Sequence, residues 1–270
     1  MEDNTLIVVR GGGDIATGTI CRLHRCGYKV LVLEIAQPRA IRRTVSLADA
    51  VYTGSHTVEG VTAVLADNIE HCDKIWQNDA VAIMVDPKAE CLLALKPLAL
   101  VDAVLAKINL GTTKDMAAIT IALGPGFSAG EDVDAVIETA RGHNLGRVIY
   151  TGSALPNTGI PGSVGGYSAE RVIYAENSGT LVIVKDIGSI VKKGEVIATI
   201  DNVPVYAPFE GVIRGMIQNN SPVKRQLKIA DIDPRLSATE YCLTISDKAR
   251  CISGGVLEAI LFLQSSPSIH

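Results

Sequence analysis

An α/β protein in two parts is what this sequence predicts: a mostly parallel sheet with helices on both faces over residues 1–150, then a small all-β domain over 168–235. Three observations carry this. Apolar runs of strand length alternate with helical periods as far as Leu123, the pattern of a parallel sheet covered on both faces. Beyond Tyr150 the composition turns to Gly, Pro, Ser, Thr and Asn without an apolar period, which marks 151–167 as a linker. Downstream, residues 174–201 recur as 206–233, an internal repeat. The remaining segment, 236–270, is expected to end in a helix.

Taken in order, Leu6-Ile7-Val8-Val9 is a continuous apolar run of the kind a buried parallel strand needs, and it stops at Gly11-Gly12-Gly13. The helix that follows places Ala16, Ile20 and Leu23 at i, i+4 and i+7, turns Arg22 and Arg25 away, and meets a stop signal at Gly27. A second strand covers 30–35. The alternation then predicts a strand over 61–65, a helix over 68–76, a strand over 80–85, a helix over 98–107 and a strand over 117–123.

The glycine-rich turn between the first strand and helix fits the dinucleotide fingerprint G-x-G-x-x-G/A through Gly11, Gly13 and Ala16. Gly11 permits the tight turn, Gly13 lets a pyrophosphate approach the backbone, and Ala16 lets helix and strand close up. The free N–H groups of Gly12, Gly13, Asp14 and Ile15 at the positive end of the helix would face the phosphates. Glu34, ending strand two, is placed to accept ribose hydroxyls. This makes the first domain Rossmann-like, with an NAD(P)-type dinucleotide as its ligand. Arg39, Arg42 and Arg43 are available to attract a 2′-phosphate, while Glu34 would repel one. Asp14, a carboxylate where a phosphate should come, is read as a helix cap. A second glycine-rich stretch, Gly124 to Gly130, ends another strand on the same sheet edge, and Arg141 and His143 follow it as candidates for anion binding and titration. No catalytic constellation is legible, so whether any reaction is catalysed stays open.

In the repeat, ten of the 28 aligned positions are identical, where ordinary composition gives about two. Tyr174-Ala175, Gly179, Val191-Lys192 and Ile200-Asp201 reappear as Tyr206-Ala207, Gly211, Val223-Lys224 and Ile232-Asp233. Neither copy can bury its apolar face alone, so the two must pack together. The pattern resembles the biotinyl/lipoyl domain, a barrel-sandwich hybrid. Carrier members hold their modified lysine on the hairpin between the halves, and here that joint reads Asp201-Asn202-Val203-Pro204-Val205. With Pro204 in the lysine's place, the resemblance implies a scaffold or docking module without covalent biotin or lipoate.

Five blocks extend a broader resemblance along the chain: Gly11 to Ala16, Leu123 to Gly130, Val136 to His143, Asn157 to Gly162 and Cys251 to Glu258. Together they look like the accessory proteins of selenium-dependent molybdenum hydroxylase systems, which are related to xanthine dehydrogenase accessory proteins. The resemblance implies a role in maturing a molybdenum enzyme, with the hydroxylase or its maturation factors as partners. It adds the molybdenum dinucleotide cofactor as a candidate ligand, since that molecule shares a pyrophosphate and a ribose with NAD. The alternatives are an NAD(P)-dependent oxidoreductase with an appended β-domain and a non-catalytic docking module.

Composition narrows the partners. A net charge of −4 and 4% aromatic residues give neither the basic face nor the stacking platforms that nucleic acid requires. The most apolar long stretch, Cys91 to Leu105, is broken by Lys96, Pro97 and Asp102, so no membrane span is expected. Met1-Glu2-Asp3-Asn4 lacks a signal peptide's positive start, which predicts a cytoplasmic protein. Six scattered cysteines and five histidines show no ligand spacing, so no metal is expected. A homo-oligomer is the expected assembly.

Overall fold

The computed structural model describes residues 5–159 and 164–265. They fall into two compact units built from discontinuous stretches: residues up to Pro38, Ser46–Asn157 and those from Ile245 onward in the first, Arg39–Val45 with Thr158–Thr244 in the second.

The first unit has the α/β class the sequence predicts. Its elements are β1 (Leu6–Arg10), α1 (Asp14–Arg25), β2 (Lys29–Glu34), α2 (Ala50–Thr53), β3 (Ser55–Val58), β4 (Val61–Leu65), α3 (Ile69–Gln77), β5 (Val81–Val85), α4 (Leu92–Leu95), β6 (Ala99–Asp102), β7 (Ile119–Leu123), β8 (Ala135–Ile137) and β9 (Val148–Ile149), with α5 (Asp247–Ser265) near the end of the chain. One nine-stranded sheet runs β3-β4-β5-β2-β1-β6-β7-β8-β9. Its seven inner strands are parallel, and the edge strands β3 and β9 are antiparallel to their neighbours. Every residue of β1 and β7 is buried, which is why these strands read as unbroken apolar runs. From β1 the chain moves through β2 to β5 and β4 on one side, then returns to β6 on the other. The sheet's topological switch point therefore lies between the carboxyl ends of β1 and β6, where open α/β sheets leave a ligand crevice.

One element differs from expectation. Residues 98–107 form β6 and an irregular segment rather than a helix, with β6 paired in parallel to both β1 and β7. A strand buried on both faces has no alternation to distinguish it from a short buried helix. Left-handed backbone at Leu105 (φ 59°) and Lys107 (φ 66°) then excludes helix beyond it. Helix α5 lies against α1 because Gly18 has no side chain: a Cβ there would come within 2.8 Å of Ala249. No helix among the described residues is long and apolar enough to cross a membrane.

The second unit holds β10 (Val172–Tyr174), β11 (Gly179–Ile183), β12 (Ile190–Val191), β13 (Val196–Ile200), β14 (Val203–Tyr206), β15 (Gly211–Met216), β16 (Pro222–Val223) and β17 (Lys228–Asp233). Two four-stranded antiparallel sheets run β10-β17-β15-β12 and β14-β13-β11-β16. The repeat explains this order. Advancing one copy onto the next converts β10, β11, β12 and β13 into β14, β15, β16 and β17, and that exchange maps one sheet onto the other. Each sheet thus takes two strands from each copy, and Leu181, Ile197, Ile213 and Ile229 fill a shared core. Asp201 (φ 47°) and Asn202 (φ 68°) make the two-residue turn between β13 and β14, as a tight hairpin demands. Of the block from Asn157 to Gly162, residues Ile160, Pro161 and Gly162 lie outside the described residues.

Candidate functional site

Gly11, Gly12 and Gly13 form the loop from β1 into α1 at the switch point, and each is glycine for a different physical reason. Gly11 has φ +91°, and a Cβ there would sit 3.1 Å from the Ala103 carbonyl and the Val104 Cα. Gly12 is closed in by Ala48, whose amide donates to the Gly12 carbonyl (2.9 Å) and whose backbone a Cβ would approach to 3.0 Å. A left-handed backbone together with close packing accounts for Gly11, and close packing alone for Gly12. Gly13 is otherwise: its φ is −65°, accessible to any residue, and no atom lies within 4 Å of the place a Cβ would occupy.

The head of α1 carries no side-chain cap. Gly13 occupies the cap position, and Asp14, read as the cap from sequence, is instead the first helical residue. The first-turn N–H groups, including that of Ile15, thus point out of the helix without an intrahelical acceptor. Below the loop, the Thr17 hydroxyl donates to the Gly13 carbonyl (2.9 Å) and accepts from the Leu47 amide (3.0 Å), which fixes the loop to the segment that covers it.

Glu34 ends β2 beside this loop, half-buried. Its carboxylate accepts from the Gly12 amide (2.9 Å) and its own neighbour Ile35 (2.8 Å). The arginines that follow do not join it. Arg42 donates to the Tyr241 carbonyl (2.9 Å), and Arg43 donates to the Met216 carbonyl (2.8 Å) and to Asp186 (2.6 Å), all within the second unit. Arg39 is exposed.

Two features of this sheet edge escaped sequence reasoning. At the carboxyl ends of β1 and β6, the buried side chains of Arg10, Asp102 and Thr112 form one network: the Thr112 hydroxyl donates to Asp102 (2.6 Å), and Arg10 donates to Thr112, to Asp102 (3.4 Å) and to the Pro87 carbonyl (3.2 Å). Asp102 breaks an apolar run in sequence, and its polarity was legible only as an obstacle to membrane insertion. The second is Lys248, in the first turn of α5. Burial pushes its ammonium below the ordinary lysine value and Arg141 pushes the same way, while Asp14, Glu138 and Asp247 pull it back up. A cation therefore stands in electrostatic reach of Asp14 at the head of α1. Nothing in the periodicity near Lys248 signals this, because the contact joins residues far apart in the chain.

The second glycine-rich loop follows β7 on the same edge. Gly124 (φ +78°) leaves room for the Thr139 hydroxyl, and Gly126 (φ +110°) admits the backbone of Lys107 and Ile108. Ser128 and Asp132 bond each other across its turn, the Ser128 amide donating to the Asp132 carboxylate (2.8 Å). Arg141 forms a two-pronged ion pair with Asp247 (2.9 and 3.2 Å), and His143 is exposed. Glu138, 3% exposed, accepts from the Ala140 and Leu155 amides (2.7 and 2.8 Å) and so braces the loop after β8.

No family model matches the chain. Over 258 residues, 96% of its length, the chain is 50% identical to YqeB of Escherichia coli (strain K12), a protein described as uncharacterized, and it spans 48% of that relative. The chain is thus YqeB-like along nearly its whole length and about half as long as the relative it matches. Among solved structures, an aspartoacylase family protein from Mesorhizobium loti is 11% identical, with 86% of this chain and 85% of that one covered, at a TM-score of 0.26. A likeness at that level carries no argument.

Proposed function

We propose that this YqeB-like chain binds a nucleotide-bearing cofactor through a Rossmann-like first unit and acts as an accessory protein in the maturation of a molybdenum hydroxylase. One observation carries the nucleotide reading. Gly13 has neither a left-handed backbone nor a neighbour to avoid, so neither strain nor packing calls for its missing side chain, whereas a pyrophosphate lying on the backbone does. The uncapped first turn of α1 supplies N–H donors for it, and Lys248 offsets the charge of Asp14. Glu34 would exchange its bond from Gly12 for the ribose hydroxyls. With Arg42 and Arg43 engaged elsewhere, of the three arginines only Arg39 is left for a 2′-phosphate that Glu34 would repel, which favours NAD or the molybdenum dinucleotide cofactor over NADP.

The maturation role rests on the five sequence blocks, and the hydroxylase or its maturation factors are the partners it implies. Within the same reading, the second unit is a biotinyl/lipoyl-like module serving as a docking scaffold, and the protein is a cytoplasmic homo-oligomer.

Calorimetric titration of the full chain tests the ligand. NAD is expected to bind and the molybdenum dinucleotide cofactor to displace it, while Gly13→Val stays folded at the titration temperature and loses at least tenfold in affinity. Glu34→Ala should weaken binding by about 1–3 kcal/mol, the range for hydrogen bonds to a charged group. Unchanged affinity in Gly13→Val removes the nucleotide reading, and NAD that resists displacement favours an oxidoreductase over a maturation factor.

A further inference from the structure

Three guanidiniums converge on one cavity at the end of α1 opposite the glycine loop. The cavity, about 240 Å³, is lined by Arg22, Arg25 and Arg250 together with Gly18, Ile245 and Ser253. Its arginines are held in place. Glu59 sits at the tip of the β3–β4 hairpin, where its carboxylate accepts from the Ile245 amide (2.8 Å) and from Arg250 (2.6 Å) and lies 3.9 Å from Arg25. Arg25 also donates to the Glu59 carbonyl. Arg22 donates to the Arg250 carbonyl (3.1 Å) and reaches over Gly254, where a Cβ would come within 3.6 Å of its terminal nitrogen.

The charges do not balance. Burial pushes the Glu59 carboxyl up, but the Ile245 amide and Arg250 outweigh it and hold it below the ordinary value, so Glu59 is anionic. It is the one carboxylate paired with these arginines among the described residues. One negative charge therefore faces three positive ones.

A purely structural account explains Arg22 and Arg25, which fall in the last turn of α1 where cations favour the helix dipole. It fails for Arg250, which stands in the first turn of α5, where a cation is unfavourable. Glu59 holds a left-handed backbone (φ 47°) in a turn that favours Asn or Gly, and from there its carboxylate holds the Ile245 amide and the Arg250 guanidinium beside the cavity. Both positions cost stability, and together they fix the Arg250 guanidinium at this cavity.

We propose that the cavity is an anion site distinct from the glycine loop and takes a small tetrahedral oxyanion of the phosphate class, either free or as the phosphoryl group of a small metabolite. Guanidinium forks match phosphate oxygens two at a time. The volume lies below the roughly 300–1,000 Å³ of sites for drug-sized ligands, which suits a phosphoryl group with little attached.

The test is calorimetric titration of the full chain, at constant low ionic strength, with inorganic phosphate, glycerol 3-phosphate and malonate. Saturable one-to-one binding of the phosphate probes is expected, tighter than malonate and weakened at least tenfold in Arg22→Gln and in Arg250→Gln. Arg22 gives up a single bond to a carbonyl, so that variant is expected to fold. Tighter binding of the ester identifies a phosphorylated metabolite, and equal binding a free oxyanion. On the unaltered chain, phosphate should protect Arg22, Arg25 and Arg250 from phenylglyoxal, read by mass spectrometry. No saturation, equal affinity for malonate, unchanged affinity in a folded double variant, or no protection would each overturn the site.

Discussion

At the scale of single residues, neighbouring glycines that look alike in sequence answer to different demands. A side chain at Gly12 must displace the backbone of Ala48, and at Gly11 it must also adopt a left-handed conformation, whereas at Gly13 it meets open space. Gly12→Val should therefore lower stability by about 1–3 kcal/mol in denaturant unfolding, as overpacking does, while Gly13→Val, which meets no atom but caps α1 poorly, costs about 0.5–1 kcal/mol. Lys248 carries a second prediction at this scale, with a sign fixed by its depressed pKa. A bound phosphate near α1 supplies negative charge and raises that pKa, so the complex holds more proton than the free protein between the two values. Dinucleotide binding is thus expected to take up protons in this window and to weaken as pH rises through it. Titration in two buffers of different ionisation enthalpy reads the uptake, and Lys248→Met should abolish it.

At the scale of elements, β6 has a role that its sequence conceals. It forms one wall of the switch point and ends in Asp102, which satisfies both the Arg10 guanidinium and the Thr112 hydroxyl. Asp102→Ala would leave a buried cation without its counter-charge, and a loss of about 3–5 kcal/mol in urea unfolding is expected, the range for breaking a buried pair. The elements that sequence reads well, α1, β4 and β7, have either an amphipathic period or an isolated apolar run bounded by glycine or polar residues. β6 offers neither, since Ala99 to Val101 is apolar on both faces and Pro97 begins the run as it would begin a helix. The site divides in the same way. Its glycine loop is local and legible, because fingerprint residues lie within six positions of one another. Lys248 and the partners of Arg10 are not, because only the folded sheet brings residues 77 or more positions apart to one edge.

At the scale of the whole molecule, the repeat in the second unit is the part of the architecture that sequence states most directly. Identity between copies marks the pseudosymmetry, and the structure adds that each sheet is assembled from two strands of each copy, which a one-dimensional pattern does not contain. Pro204 pairs with Thr199 in the β13–β14 hairpin, so the position that would carry a cofactor arm belongs to a strand. Protein purified from its native host should show an intact mass with no biotin or lipoyl addition on any lysine of 168–235. The first unit presents the opposite case, because α1, which heads the glycine loop, packs through Gly18 on an α5 encoded more than two hundred positions later. On the ribosome, the early strands emerge long before that helix exists. The face of α1 that receives Ala249 must wait through synthesis of the entire second unit, so the second unit is free to mature first. The glycine loop thus acquires its final support after the domain inserted between its parts has already been made.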